Sequence, residues 1–387
     1  MQSGAGKRVA ISTLGERFLL SNYGTFFQHY ALRKVLCGLG FSPFRLSQTS
    51  GRYEESGFLM VWLKDAVRPL YWLLKRIPEW RLNCKRIMEE DLQNLRFVLD
   101  YHRLIGRFRE PQRFNDGMVG IMGGDQVLGT TSTRAWLGVL PQGCKRITYA
   151  ASTDWTERER GPSWQNFARE QFKRFSAIGL RETVGVDFCR RLVKDGALVG
   201  HVADPVMLLT THDYEMIADR RKIFHRLTLF CYLVNIRTAE DLMLAKYEEL
   251  ADRLGCELKI LGIQGAERFI PARYKIRLRP SRFLRAMMDA QYIVTNSYHG
   301  SVFAAVLHKE FLSVHQNCLP GTNQNVRQQE FMSQFGLRDH WVDRRHSAKQ
   351  WQDALAQSID WNVVDGDIEA FRSSSLKWLA RALADKI

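Results

Sequence analysis

Polar residues with chemical potential recur in this sequence where short apolar runs end. The clearest case is TNSYHGSVFAAVLHKEFLSV (295–314), where Asn296, Ser297 and His299 separate two apolar stretches. His299, Gly300 and Ser301 fall where a strand would give way to a helix. A histidine there can exchange a proton near neutrality, and the helix N-terminus beside it attracts anions. The plainer reading is a capping cluster with a satisfied histidine. Five further groups repeat the pattern: Asn22, Tyr23 and Gly24; Gly123, Gly124, Asp125 and Gln126; Arg181 with Glu182; Asp204 before Pro205; and His315 with Gln316. The paired glycines would let backbone approach a ligand closely. Arg181 offers a planar fork suited to carboxylate or phosphate. Each group by itself reads more simply as a turn or a cap. In this order along one chain they describe a single site.

The elements that must position these residues alternate between the two periods. KRVAIST, GMVGIM, RITYAAS, FSAIGLRE and the start of ALVGHVADPVMLL read as buried strands of a first half. RLTLFCYLV, CELKILGIQG, YIVTNS and FLSV read as strands of a second, with helices over TFFQHYALRKVLCGLG, about Ala239 to Leu254, SRFLRAMMDA and from Ser301 onward. RYKIRLRPSRFLR reads as a basic strand in which Arg273, Lys275, Arg277 and Arg279 share one face. The expected fold is α/β, with two Rossmann-like, doubly wound domains facing a cleft. Residues 1–212 form the first and 213–387 the second, which carries SYHG, with the boundary near THDYEMIADRRK. In such sheets ligands bind at the carboxyl ends of the strands, where the polar groups sit.

Composition narrows the function. The 387 residues carry 56 Lys and Arg against 41 Asp and Glu, a net charge of +15 that favours anionic partners. The sequence has no helix-turn-helix, zinc-finger or RNP-like pattern, so nucleic acid is not the expected partner. Seven scattered cysteines without a CxxC pair support neither a zinc site nor a disulfide framework. They read as reduced core residues of a cytoplasmic protein, and no paired-histidine spacing suggests a metal. GAGKR lacks the spacing of a phosphate-binding loop, and DGD (365–367) reads as a solvated turn. Neither a leader peptide nor a membrane span is expected. A basic aromatic insertion is expected at about 55–113. Within it, Leu59 to Arg86 mixes Trp62, Tyr71, Trp72 and Trp80 with seven basic and two acidic residues. It suits either a helix lying in a membrane interface or a helical insertion packed on its own domain.

The ordered motifs resemble the polysaccharide pyruvyl transferase family. The matching pieces are NYGTFFQHYALRKVL, IMGGDQVLG, ITYAAS, IGLRETVGVDFCRRL, ADPVMLL, DAQYIVTNSYHGSVFAAVLHKEFLSV and HQNCLPGTNQNVRQQEFMSQFGL. The resemblance implies a glycosyltransferase-B-like fold. It also implies transfer of pyruvate from phosphoenolpyruvate to a sugar of a bacterial cell-envelope or exopolysaccharide glycan, as a cyclic ketal and with no cofactor. It places a histidine like His299 at the reaction centre and an arginine like Arg181 on the donor. Some members carry a donor-binding arginine where this chain has Ser297. The acceptor is expected to be a lipid-linked or nucleotide-linked glycan and the enzyme cytoplasmic, with 59–86 a candidate contact to the inner face of the inner membrane. Two rivals stay open: a sugar-nucleotide glycosyltransferase of the same fold, and a non-catalytic glycan-assembly subunit.

Overall fold

β-Branched and aromatic runs form the strands, and both sheets are parallel throughout. The computed structural model describes residues 7–13, 22–46, 97, 100, 103–104, 114–125, 127–129, 133, 135–152, 161–193, 198–317 and 325–384. The first sheet has six strands: β1 (Arg8–Ser12), β2 (Ser42–Arg45), β3 (Val119–Gly124), β4 (Lys145–Ala151), β5 (Ala177–Leu180) and β6 (Leu198–His201). Their order is β2-β1-β3-β4-β5-β6. The second has five: β7 (Thr228–Val234), β8 (Glu257–Ile263), β9 (Tyr292–Thr295), β10 (Glu310–Val314) and β11 (Trp341–Val342), in the order β11-β10-β9-β7-β8. In each sheet the chain steps outward once and then crosses back over its first strand. The order therefore reverses between β1 and β3 and between β7 and β9. Crevices at such reversals are where open α/β sheets bind ligands.

The principal helices are α1 (Tyr23–Gly38), α2 (Pro162–Phe172), α3 (Thr183–Leu192), α4 (Leu244–Leu254), α5 (Pro280–Asp289), α6 (Tyr298–Val306), α7 (Asn325–Gln334), α8 (Ala348–Leu355) and α9 (Trp361–Leu383). Aromatic packing joins the two halves. Tyr23 of α1 stacks on Phe283 of α5 at 4.3 Å, and Phe27 meets Phe303 of α6 edge-on at 5.2 Å. The Tyr23 hydroxyl donates to the Leu278 carbonyl at 2.6 Å. α9 lies in the stretch expected to belong to the second domain, yet it packs on the first sheet. Trp378 rests on Gly179 and Gly200, where an added Cβ would come within 2.8 and 2.5 Å of the indole. Arg372 Nε donates to the Met207 carbonyl at 2.7 Å, and the Ala203 amide donates to Ser375 Oγ at 2.8 Å.

Three local expectations need correction. The basic stretch 273–279 forms no strand; among the described residues its one strand-like pairing is an isolated bridge between Lys275 and Ile260. Its arginines do not share one basic face, because Arg273 pairs with Glu248 at 2.9 Å and Arg279 with Asp219 at 2.7 Å. The helix over 239–254 is interrupted at Met243, whose φ of 53° ends one short helix and opens α4. α6 begins at Tyr298, three residues before the expected Ser301, because Ser297 caps it. Of the described cysteines, Cys144, Cys189 and Cys231 are buried and free, Cys256 is half-buried, and Cys37 is exposed rather than in the core. Among the described residues no helix is long and apolar enough to cross a membrane. The segment 59–86 lies outside the described residues.

Candidate active site in the cleft

The polar run that follows β9 has a structural job at each position. Asn296 extends the sheet with its side chain: Oδ1 accepts from the Val234 amide and Nδ2 donates to the Val234 carbonyl, both at 2.8 Å. Ser297 is the N-cap of α6, its Oγ accepting from the Gly300 amide at 3.4 Å. His299 then emerges in the first turn, its side chain 4% exposed. Across the cleft, Asn22 caps α1 by accepting from the Thr25 amide at 3.2 Å. Gly24 brings that helix against the imidazole so tightly that a Cβ there would stand 2.2 Å from His299 Nδ1. Two helix N-termini, one from each domain, thus converge on one ring.

Carboxylates flank this histidine. Its Nε2 lies 3.4 Å from Asp204 Oδ2, within ion-pair range but not aligned for a hydrogen bond. Its Nδ1 lies 3.7 Å from Asp125 Oδ2. Asp125 follows Gly124, whose φ of +99° turns the chain out of β3 into the cleft. Burial would raise the Asp125 carboxyl, but Arg181, His299 and Arg327 outweigh it and hold the group well below the usual carboxylate range. Asp204 is more deeply enclosed. Burial opposes its ionisation too, yet His299, Arg181 and the Val206 amide bring it down to about 2. Gln28 Nε2 also donates to Asp204 Oδ2, at 2.6 Å.

Arg181 is the hub of this network. Its Nε donates to Glu182 Oε1 at 2.9 Å and its Nη1 to Asp204 Oδ2 at 2.8 Å. Its Nη2 reaches Ser152 Oγ and Asp125 Oδ1, each at 2.7 Å. The Tyr298 ring lies 4.2 Å from the guanidinium carbon, and only 2% of the side chain is exposed. Breaking such a buried ionic network by removing one partner is costly, since the others keep uncompensated charge.

Beside the network lies a cavity of about 150 Å³. Asn22, Thr25 and Asp125 line it from the first domain; Tyr232, Asn235, Gln264, Ser297, Tyr298, His299, Gln316 and Arg327 are among its walls from the second. Asn235 and Gln264 both adopt left-handed backbone, φ 57° and 55°, at the ends of β7 and β8. Such strained positions concentrate at functional sites.

Of the residues expected at the site, Asn22, Asp125, Ser297, His299 and Gln316 line the cavity. Arg181 and Asp204 stand behind it. Gly24, Gly123 and Gly300 act by packing: a Cβ at 123 would strike the Tyr149 carbonyl, and one at 300 the Thr295 hydroxyl. Tyr23 points into the interdomain core instead. Ser301 is buried against Ser313, to whose hydroxyl it donates at 2.9 Å. His315 turns away, its ring 4.2 Å from that of Trp341. Gln126 lies outside the described residues. Thr25, Tyr232, Asn235, Gln264, Tyr298 and Arg327 line the cavity without having been named as site residues from sequence, and Arg327, the cation among them, sits inside the quoted run TNQNVRQQEF. Asn325, two residues before it, accepts from the Gln316 amide at 2.8 Å and so ties the start of α7 to the end of β10.

Two parallel α/β sheets with a site at their facing edges define a glycosyltransferase-B-like protein. UDP-GlcNAc 2-epimerase from Methanocaldococcus jannaschii matches at a TM-score of 0.50 and 10% identity, covering 97% of this chain and 99% of that one. Phytolacca americana UGT2, solved with UDP-2-fluoro-glucose and pterostilbene, matches at 0.42 and 10%, covering 98% and 96%. MurG of Acinetobacter baumannii matches at 0.42 and 10%, covering 97% and 99%. No curated protein matches the sequence. The polysaccharide pyruvyl transferase family model matches residues 22–315, most of the chain and every cavity residue named above except Gln316 and Arg327. The chain belongs to the polysaccharide pyruvyl transferase family, a family of transferases in polysaccharide biosynthesis.

Proposed function

We propose that this protein moves the pyruvyl group of phosphoenolpyruvate onto a sugar of a cell-envelope or exopolysaccharide glycan, forming a cyclic ketal. The observation that carries the reading is His299 held between Asp125 and Asp204 where two helix N-termini meet, in a chain of this family. The reaction protonates the donor's methylene carbon and makes C2 electrophilic. One sugar hydroxyl adds to C2 and loses its proton, phosphate departs with the C2–O bond, and a second hydroxyl closes the ring and loses another proton. His299 would handle these protons, and Asp125 and Asp204 fix the ring's orientation. The Nδ1 side faces Asp125, the carboxylate that reaches the cavity, so exchange with the donor is assigned there. The α6 N-terminus supplies positive potential for the donor's anionic groups, and no added cofactor enters this scheme. A cavity of about 150 Å³ suits a small anion better than a nucleotide sugar.

The acceptor is taken to be a lipid-linked glycan, with Leu59 to Arg86 resting on the cytoplasmic face of the inner membrane. Purified protein incubated with phosphoenolpyruvate and extracted glycan intermediates should release phosphate and add one pyruvate, less water, to the glycan by mass spectrometry. Sugar-nucleotide consumption without ketal formation would reject this reading for the glycosyltransferase one. Stabilisation by neither ligand in thermal shift would favour the non-catalytic one.

A further inference from the structure

We infer that Arg327, not Arg181, is the cation that grips the donor's oxyanion, and that Arg181 is a positioning residue. This rests on the cleft being the donor pocket. Arg181 has spent its hydrogen bonds on Glu182, Asp204, Ser152 and Asp125, and the Tyr298 ring lies against the guanidinium. One Nη1 N–H is left over, so no pair of N–H groups remains to form a fork for a ligand, and one face is covered by the ring. Arg327 is the opposite case. Its guanidinium carries five N–H groups, and Nη1 makes the one hydrogen bond found for it among the described residues, to Asp125 Oδ1 at 3.0 Å. The side chain is 6% exposed, it lines the cavity, and its Nε is buried with no hydrogen-bond partner among the described residues. Hydrogen bonds left unmade on a charged group are costly, and an oxyanion in the cavity would take up those of the remaining Nη N–H groups.

The position is built, not incidental. Asn325 holds Gln316 by its backbone, accepting from the amide and donating to the carbonyl at 3.2 Å, while Gln316 Nε2 donates to the Asn296 carbonyl at 2.6 Å. The start of α7 is thereby fixed to the ends of β9 and β10, beside the first turn of α6. Arg327 and that helix N-terminus together form a pocket for a carboxylate or a phosphate. They also account for Ser297: with a cation supplied from α7, position 297 is free to cap α6.

Calorimetric titration of the whole protein tests the assignment, with phosphoenolpyruvate, inorganic phosphate and UDP as probes. Variants Arg327→Met, Arg327→Lys and Arg181→Lys are first checked for native circular dichroism and thermal midpoint. Wild type should bind phosphoenolpyruvate, and Arg327→Met should weaken it roughly 10- to 100-fold, the worth of charged hydrogen bonds. Arg327→Lys should weaken it less, about fivefold, since an ammonium keeps the charge without the fork. If Arg327→Met does not fold, Arg327→Lys decides. Arg181→Lys should lower the thermal midpoint more than it changes donor affinity. Unchanged phosphoenolpyruvate affinity in the folded Arg327 variants overturns the inference and leaves the pyruvyl reading standing. UDP binding in place of phosphoenolpyruvate, lost in Arg327→Met, keeps Arg327 as the anchor and removes the pyruvyl donor. A wild-type protein that binds none of the three probes overturns the anchor.

Discussion

Gly24→Ala probes the junction of the two domains with one carbon atom. The new Cβ would stand 2.2 Å from His299 Nδ1, 2.4 Å from its Cγ and 2.7 Å from its Cε1. Ordinary contacts between such atoms are about 3.5–4.0 Å, so the ring or the helix must retreat by more than ~1 Å. Replacing glycine in a helix by alanine should itself gain about 1 kcal/mol. Forcing a methyl into a packed site costs about 1–3 kcal/mol. The net stability change is therefore between roughly zero and 2 kcal/mol of loss, compatible with a folded protein. Catalysis should suffer more, because a displacement of about 1 Å at a reacting group costs on the order of 10²-fold. Two measurements are needed: urea unfolding and phosphoenolpyruvate-dependent phosphate release. A control separates ring displacement from general damage. In a His299→Ala background the space is vacant, so Gly24→Ala should there be neutral or stabilising by up to about 1 kcal/mol. Wild-type turnover and stability in Gly24→Ala would refute the packing of α1 on His299. An equal stability loss in both backgrounds would refute the ring as its cause.

His299→Gln should fold normally and lose roughly 10²- to 10⁴-fold in turnover; a near-wild-type rate would remove its proton role. Arg181→Met leaves Asp125, Glu182 and Asp204 facing one another without their shared cation, so denaturant unfolding should show a loss of about 3–5 kcal/mol. An unchanged midpoint would mean that the network is not formed. Asp204 has its carboxyl lowered from 3.8 to about 2, so its stabilisation is present above about pH 4 and disappears as the pH falls through that interval. The amount is roughly 2 kcal/mol, and Asp204→Asn should flatten the stability profile between about pH 4 and pH 2; an equally steep profile contradicts the assignment. The intact protein should float with anionic liposomes at low salt, each basic residue of Leu59 to Arg86 contributing about 1 kcal/mol, and lose binding when Trp62 and Trp72 become Ala. No flotation under those conditions would make the segment a folded insertion.

The sequence announced the architecture because each strand is a short β-branched run stopped by polar residues. Those stops are the carboxyl edge of a parallel sheet, so Asn22, Asp125, Ser297 and His299 could be gathered before any fold was seen. What could not be read was the direction in which side chains spend their bonds. Arg181 looks like a ligand-binding arginine after a strand. Its saturation depends on Asp125 and Asp204, which reach it only through the crossovers of the first sheet. Arg327 sits in a polar helix whose pattern, NVRQQE, marks no face as special. It becomes a cavity residue only because Asn325 fastens α7 to β10. The basic run 273–279 alternates like a strand, but Arg273 is drawn off by Glu248 and Arg279 by Asp219. Pairing partners outweighed periodicity there. The path of α9 back to the first sheet leaves no local signal, since an amphipathic helix does not record which sheet will receive it.

Each domain supplies one capped helix and several strand ends, and neither holds the site alone. His299 is placed by α6, but its flanking carboxylates, Asp125 and Asp204, and the glycine behind it belong to the first sheet's side. Ångström-level geometry then depends on the junction between domains. Two-domain proteins of this kind move by default unless the interface is large and apolar. Here Tyr23, Phe27, Phe283 and Phe303 pack into one aromatic cluster directly beneath the cleft. α9 adds a second tie by returning from the second domain to seat Trp378 on the first sheet. Tyr23, expected in the site for its place beside Asn22, therefore serves the chemistry from below. With Phe27 it fixes α1 to α5, and so helps to keep Gly24 against the imidazole.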